Sequence, residues 1–211
     1  MIKGKFITFE GGEGCGKSTQ AELLRQKLES EGIEVVTTRE PGGTWVSEQI
    51  RHLIKDQVRE IPCARTELLL FLAARAQLVE NVIMPALESG RWVVSDRFSD
   101  STFAYQGYGR GLPLDSLKFI NSFACGGLKP DLTILMDVDP ATATFRRSRR
   151  ESELHTSSDR IESEPDDFHR RLRAGFAELA AAEPDRIVTV DANGEIGEIR
   201  EEIWRLVKPL I

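Results

Sequence analysis

Gly11-Gly12-Glu13-Gly14-Cys15-Gly16-Lys17-Ser18 satisfies GxxxxGK[ST] at every fixed position, between the apolar run Phe6-Ile7-Thr8-Phe9 and a helical pattern. Strand, glycine-rich turn and helix in that order form the opening unit of an α/β sheet. Glycines let successive backbone N–H groups converge on phosphate oxygens, and the following helix N-terminus adds partial positive charge. Lys17 supplies an ammonium and Ser18 a hydroxyl for Mg2+, so residues Gly11, Gly12, Glu13, Gly14, Cys15, Gly16, Lys17, Ser18 and Thr19 are the expected seat of a nucleoside triphosphate. A phosphate cradle by itself does not say which reaction follows.

A chain of 211 residues suits one α/β domain with at most a small insertion. Its formal charge of -6 argues against a surface devoted to nucleic acid or anionic lipid, so any phosphate site must be built locally. The three cysteines, Cys15, Cys63 and Cys125, have no CxxC spacing, which points away from a disulfide framework or zinc site and toward a reducing cytoplasm. Met1 to Phe6 runs straight into the first strand and no apolar run suggests a membrane span, so neither leader nor membrane is expected.

Short β-rich runs recur at Phe6–Glu10, Glu34–Thr38, Trp92–Asp96, Leu132–Asp137 and Ile187–Asp191. Between and after them, helical patterns cover Lys17–Glu31, Thr44–Lys55, Ala64–Ser89, Leu114–Ala124, Pro140–Arg150, Pro165–Ala182 and Ile196–Val207. Such alternation predicts a three-layer, doubly wound α/β fold on a five-stranded parallel sheet, with ligands at the carboxyl ends of the strands. A mobile lid is expected at about residues 146–164, with Ser148–Glu164 as its polar part.

Several groups fall at those strand ends. Asp96 closes the third strand and is aimed toward the Mg2+ expected at Ser18, with Arg97 beside it. Arg39 closes the second strand ahead of the turn Glu40-Pro41-Gly42-Gly43-Thr44, whose threonine suits a helix cap. A planar guanidinium at that place suits a second phosphate. Phe71 and Arg75 stand four apart on one helix face and could clasp a base. Ser99–Gly111 reads as a short helix and loop facing a ligand. Arg146, Arg147, Arg149, Arg150 and Arg160 concentrate positive charge in the lid, whereas His52, His155 and His169 have no metal or triad spacing and read as surface residues.

Taken together, Phe9–Thr19, Thr38-Arg39-Glu40-Pro41-Gly42-Gly43-Thr44, Asp96-Arg97-Phe98, Ala104-Tyr105-Gln106-Gly107 with Arg110-Gly111, and Asp159-Arg160-Ile161-Glu162 closely resemble bacterial thymidylate kinases, members of the P-loop nucleoside monophosphate kinases. The resemblance spans most of the chain. It implies transfer of the γ-phosphoryl of ATP to dTMP with Mg2+, held by Ser18 and Asp96, and a homodimer. It also implies that Phe71 stacks on thymine while Arg75 bonds its edge, that Arg39 and Arg97 hold the dTMP phosphate, and that Tyr105 crowds the place of a ribose 2′-hydroxyl. Pro41, Thr102 and Gln106 complete the substrate site, and Glu13 approaches the sugar 3′-hydroxyl or solvent. Gly14 stands where another type of the family carries arginine, and the lid is then expected to supply the missing cation, with Arg149 as first choice beside Lys17 and Arg97. Phe98 departs from the commoner Tyr or His, and Cys15 replaces a small residue. Two alternatives stay open: a kinase for another monophosphate or a deoxynucleoside, and a nucleotide-dependent switch or binding module.

Overall fold

The computed structural model describes residues 4–55, 60–154 and 160–211. Its strands β1 (Phe6–Glu10), β2 (Val35–Arg39), β3 (Trp92–Asp96), β4 (Leu132–Asp137) and β5 (Ile187–Asp191) form one parallel sheet in the order β2-β3-β1-β4-β5. Central β1 is buried throughout, which is why its sequence is apolar without alternation. Ile7 and Phe9 pack toward α1 (Lys17–Ser30) and α9 (Ile196–Val207) through Leu24, Leu28, Ile199 and Ile203. Phe6 packs on the opposite face against Leu78, Ile83 and Phe98. Three layers result, as the alternating pattern predicts.

Register brings the chemistry to one rim. Phe9 pairs with Asp96 across β1 and β3, and Arg39 pairs with the same Asp96 across β2 and β3. The second strand starts one residue later than expected, while the other four coincide with their sequence runs. From β2 the chain returns to β3 on one side of β1, then crosses to β4 on the other. The β1 exit, where the P-loop sits, is therefore the point at which the winding changes direction.

The remaining helices are α2 (Trp45–Lys55), α3 (Ala64–Leu78), α4 (Met84–Glu88), α5 (Ser99–Thr102), α6 (Leu114–Ala124), α7 (Pro140–Leu154) and α8 (Asp166–Ala182). Ser47 N–H donates to Thr44 Oγ1 at 3.1 Å, so Thr44 caps α2 as expected. Several sequence expectations are corrected. The run Ala64–Ser89 is not uniform, because a π-helical turn at Val79–Ile83 joins α3 to α4 just before Pro85, which lacks an N–H. By length and composition alone this Ala64–Glu88 run could cross a membrane, against the sequence reading; its apolar residues include core positions Leu68, Leu72, Leu78 and Ile83.

Ser99–Gly111 is not a helix followed by a loop, since a π-helical stretch carries it on through Phe103–Gly109. Its glycines are close-packing sites: a Cβ on Gly107 would stand 2.6 Å from Leu114, and one on Gly109 2.6 Å from Phe168. Helix α7 carries Arg146, Arg147, Arg149 and Arg150 as the pattern predicts but runs four residues past Arg150 to Leu154, so the start of the expected polar lid is helical, while Arg160 lies in a turn. His155 and Asp159 lie outside the described residues. His169 is half-buried rather than on the surface, and among the described residues its Nε2 has no hydrogen-bond partner.

Candidate active site

The P-loop opens onto a cleft of about 1200 Å3 at the strand ends. Lys17 Nζ donates to Gly12 O at 2.6 Å and Gly11 O at 3.3 Å, so the loop's own carbonyls hold the ammonium at the mouth of the cradle. Cys15 fills the loop's interior, buried, with Sγ donating to Gly12 O at 3.0 Å. Gly14 has φ +75°, and a Cβ there would stand 2.5 Å from the carbonyl oxygen of Ala143. Thus α7 lies directly on the cradle at the one position where a side chain would keep it away.

Ser18 Oγ donates to Asp96 Oδ2, bringing a hydroxyl and a carboxylate together on the cleft wall. Those are the hard oxygen donors a protein offers Mg2+ when phosphate and water complete its shell. Among the described residues no cluster of three or more His, Cys, Asp or Glu could hold a metal unaided.

Arg97 adopts φ +75°, left-handed backbone that is rare for a branched-free cation and typical of functional turns. Its N–H donates to Phe9 O at 2.9 Å and its Nη1 to Gly11 O at 2.9 Å, stitching the β3 exit to the P-loop. Its Nη2 pairs with Glu13 at 2.5 Å. Burial opposes charge on Glu13, but the nearby Arg97 and Lys17 outweigh it and hold the carboxyl far below its usual range.

Nine Lys or Arg side chains line this cleft against six Asp or Glu, in a chain whose net charge is -6. The local basic site expected of an acidic chain is present. Arg39 lines it too, with Nη2 held by Glu48 at 3.0 and 3.1 Å. Arg146 donates to Ala192 O at 2.7 Å and Arg149 pairs with Glu153 at 2.7 Å. Arg160 is pinned to Glu67 at 2.6 Å and to Ile54 O at 3.2 Å. Arg147 lines the cleft as well.

Beside the cleft lies a smaller pocket of about 50 Å3, lined by Pro41, Phe71, Arg75, Thr102, Tyr105 and Gln106 among others. All six sequence-predicted substrate contacts outside the two phosphate arginines therefore meet at one place. Arg75 is only 1% exposed and each of its N–H groups already has a protein acceptor: Glu40 and Phe98 O, with Thr102 Oγ1 at 2.7 Å and Asn121 Oδ1 at 2.6 Å. A base edge can bond it only by exchanging one of these. Phe98 is core, edge-on to Phe6 with centroids 4.8 Å apart, so its lack of a polar group leaves the pocket untouched. Tyr105 is buried with its hydroxyl unpaired among the described residues, and the Arg97 guanidinium lies 5.0 Å from its ring centre.

Residues missed in the sequence are Arg51, His52 and Lys55 of α2 and Asn193, Gly194 and Glu195 after β5, all lining the cleft. Helical phase held a signal for α2, since Glu48, Arg51 and Lys55 recur at three- and four-residue spacing behind Arg39. Asn193-Gly194 carried only an ordinary turn signal.

A phosphate cradle on the central strand of a parallel sheet, with a second pocket opening beside it across Arg97, defines a P-loop kinase acting on a small acceptor. The thymidylate kinase family model matches residues 9–203. Thymidylate kinases of Dehalococcoides mccartyi and Synechococcus sp. are 48% and 50% identical, covering 98% and 97% of this chain and 96% and 95% of their own. The crystal structure of thymidylate kinase from Ehrlichia chaffeensis superposes with a TM-score of 0.78 at 32% identity, covering 98% of this chain and 99% of that one. The chain belongs to the thymidylate kinase family and is a kinase.

Proposed function

We propose that this enzyme transfers the γ-phosphoryl group of ATP to the phosphate of dTMP, giving ADP and dTDP. One observation carries the reading: Glu13, Glu40, Lys55 and Arg97 line both the P-loop cleft and the small pocket, so donor and acceptor would meet across Arg97. Gly11 to Thr19 would cradle the ATP phosphates. Arg39 and Arg97 would hold the acceptor phosphate, Phe71 and Arg75 the base, and Pro41, Thr102, Tyr105 and Gln106 the rest of the nucleotide.

An acceptor phosphate is already a nucleophile, so positioning and charge neutralisation suffice and no general base is required. Ser18 and Asp96 would hold Mg2+, which supplies neutralisation of the donor phosphates. Lys17, Arg97 and Arg149 would provide further positive charge, with Glu13 orienting Arg97 and lying near the sugar. The segment at about 146–164 would act as the lid of a single domain and exclude water.

A homodimer is part of the proposal. Phe119 and Phe123 of α6 are 77% and 85% exposed, and Leu69 of α3 is 60% exposed, an apolar surface that a second copy would cover. Sedimentation of the wild type against Phe123→Glu tests this, with the variant expected to be monomeric. Free Cys15, Cys63 and Cys125 suit a cytoplasmic location. The deciding experiment for the reaction measures ADP release with dTMP, dUMP, dCMP and thymidine as acceptors. Highest kcat/KM with dTMP supports the reading; preference for another acceptor, or ADP release unaffected by all four, overturns it.

A further inference from the structure

Three side chains from two separate stretches of chain end on the carboxylate of Glu67, a buried residue of α3. Its Oε1 accepts from Gln106 Nε2 and Arg110 Nε, both at 3.1 Å. Its Oε2 accepts from Arg110 Nη2 at 3.0 Å and Arg160 Nη2 at 2.6 Å. Arg160 in turn donates to Ile54 O in α2, and Arg110 pairs with Glu164 at 2.6 Å. Burial works against a charge on Glu67, but the bonds from Arg110 and Arg160 outweigh it and keep the carboxyl below its ordinary range.

Glu67 itself lines neither pocket, yet the groups it holds do. Gln106 and Ile161 wall the small pocket, and Arg160 walls the cleft. About 50 Å3 of free space is tight for a nucleotide base, so the placement of that wall bears directly on how closely a base is held. We propose that Glu67 is a positioning residue, a latch whose carboxylate ties Arg160 and Ile161 to Gln106 and so sets how firmly the acceptor nucleotide is held. The inference rests on the dTMP kinase reading and adds a residue that never touches substrate.

The latch predicts a selective defect, because loosening the acceptor wall leaves the P-loop and the reacting groups in place. In the full-length enzyme, Glu67→Gln keeps the side chain's size but removes its charge. It is expected to raise KM for dTMP about ten-fold, with kcat and KM for ATP within about two-fold of wild type. Arg160→Met cuts the same tie from the other end and is expected to raise KM for dTMP by a similar factor, whatever it does to kcat. Combining the two is expected to be no worse than the worse single variant, since one contact is lost once. Arg110→Met serves as the contrast: Arg110 lines neither pocket, so this variant is expected to lower the melting temperature while leaving KM for dTMP within about two-fold.

The latch is overturned if KM for dTMP is unmoved by Glu67→Gln, if the two effects multiply, or if Arg110→Met raises KM as much as Arg160→Met does. Should Glu67→Gln fail to fold, the contrast between Arg160→Met and Arg110→Met decides. Wild-type turnover is measured first. If the acceptor panel selects another monophosphate, the dTMP reading falls and the same KM comparison with that substrate still judges the latch; if none is turned over, both fall.

Discussion

Arg97 and Glu13 form a 2.5 Å ion pair at the seam between the donor cleft and the acceptor pocket, and both side chains line both spaces. Each comes from a loop at a strand end, β3 for Arg97 and β1 for Glu13, and adjacent parallel pairing of those strands is what brings them together. The left-handed backbone at Arg97 turns its guanidinium back across the P-loop instead of away from it. An arriving acceptor phosphate would compete with Glu13 for that guanidinium, so the pair holds a cation in place until an anion claims it.

Lys17 is the P-loop cation, already bonded to two loop carbonyls at the cradle's mouth. Lys17→Ala is expected to lower kcat by about 10^3-fold or more, since transfer depends on charge placed before the reaction. A coupled assay for ADP checks this, and near-normal turnover would refute the assignment.

Tyr105 separates two ways of selecting deoxyribose. Its ring is wedged among Phe168, Phe176 and the Arg97 guanidinium, while its buried hydroxyl has no partner among the described residues. If the ring's bulk selects, Tyr105→Phe keeps the preference for dTMP over its ribose analogue, and Tyr105→Ala narrows it about ten-fold. Relative kcat/KM for the two substrates decides. Removing an orphaned buried hydroxyl also predicts that Tyr105→Phe is no less stable than wild type.

Much of this was readable in the residues. The P-loop, Asp96 and Arg97 follow from motif and strand-end position, because a parallel sheet sends every strand exit to the same rim. Pro41, Phe71, Thr102, Tyr105 and Gln106 do gather in one pocket, yet their neighbours decide their chemistry, and those came from far along the chain. Arg75 is neutralised by Glu40, 35 positions away, and Gln106 is held by Glu67, 39 positions away. Neither pairing leaves a periodic trace. Gly107 and Gly109 misled the reading for a different reason: glycine marks a turn by propensity, but here it marks close approach of Leu114 and Phe168.

Arg149 and Arg147 compete for the role of the lid cation. Arg149 is exposed and, among the described residues, held by Glu153 one turn on, an exposed pair that costs little to break. Arg149→Ala is expected to reduce kcat about 10^3-fold, the scale of a cation supplied to the transferring phosphoryl, and Arg147→Ala about ten-fold or less. Single-turnover rates at saturating ATP and dTMP separate them. The reverse ranking would move the role to Arg147.

Glu10, at the end of β1, gives the fold a pH dependence with a definite sign. Burial, then the nearby Asp100 carboxylate, push its carboxyl up to about 7, against the opposing pull of Arg97 and the bonds from Ser101 and Phe98 N–H. The unfolded chain gives up this proton near 4.5, whereas the folded protein keeps it until about 7. Over that window the folded state binds the extra proton, so Glu10's contribution is complete below the lower value and is lost as pH rises through the upper one. The loss is of the order of 3 kcal/mol. Urea unfolding at about pH 5 and about pH 8 is expected to show the wild type losing more stability than Glu10→Gln, which has no proton to release. Phe98 N–H and Ser101 N–H would still find the amide oxygen, and Ser101 Oγ could accept from the amide nitrogen, so the variant keeps the bonds that start α5. Equal losses in the two proteins would mean that Glu10 is ionised in the folded state across the whole range.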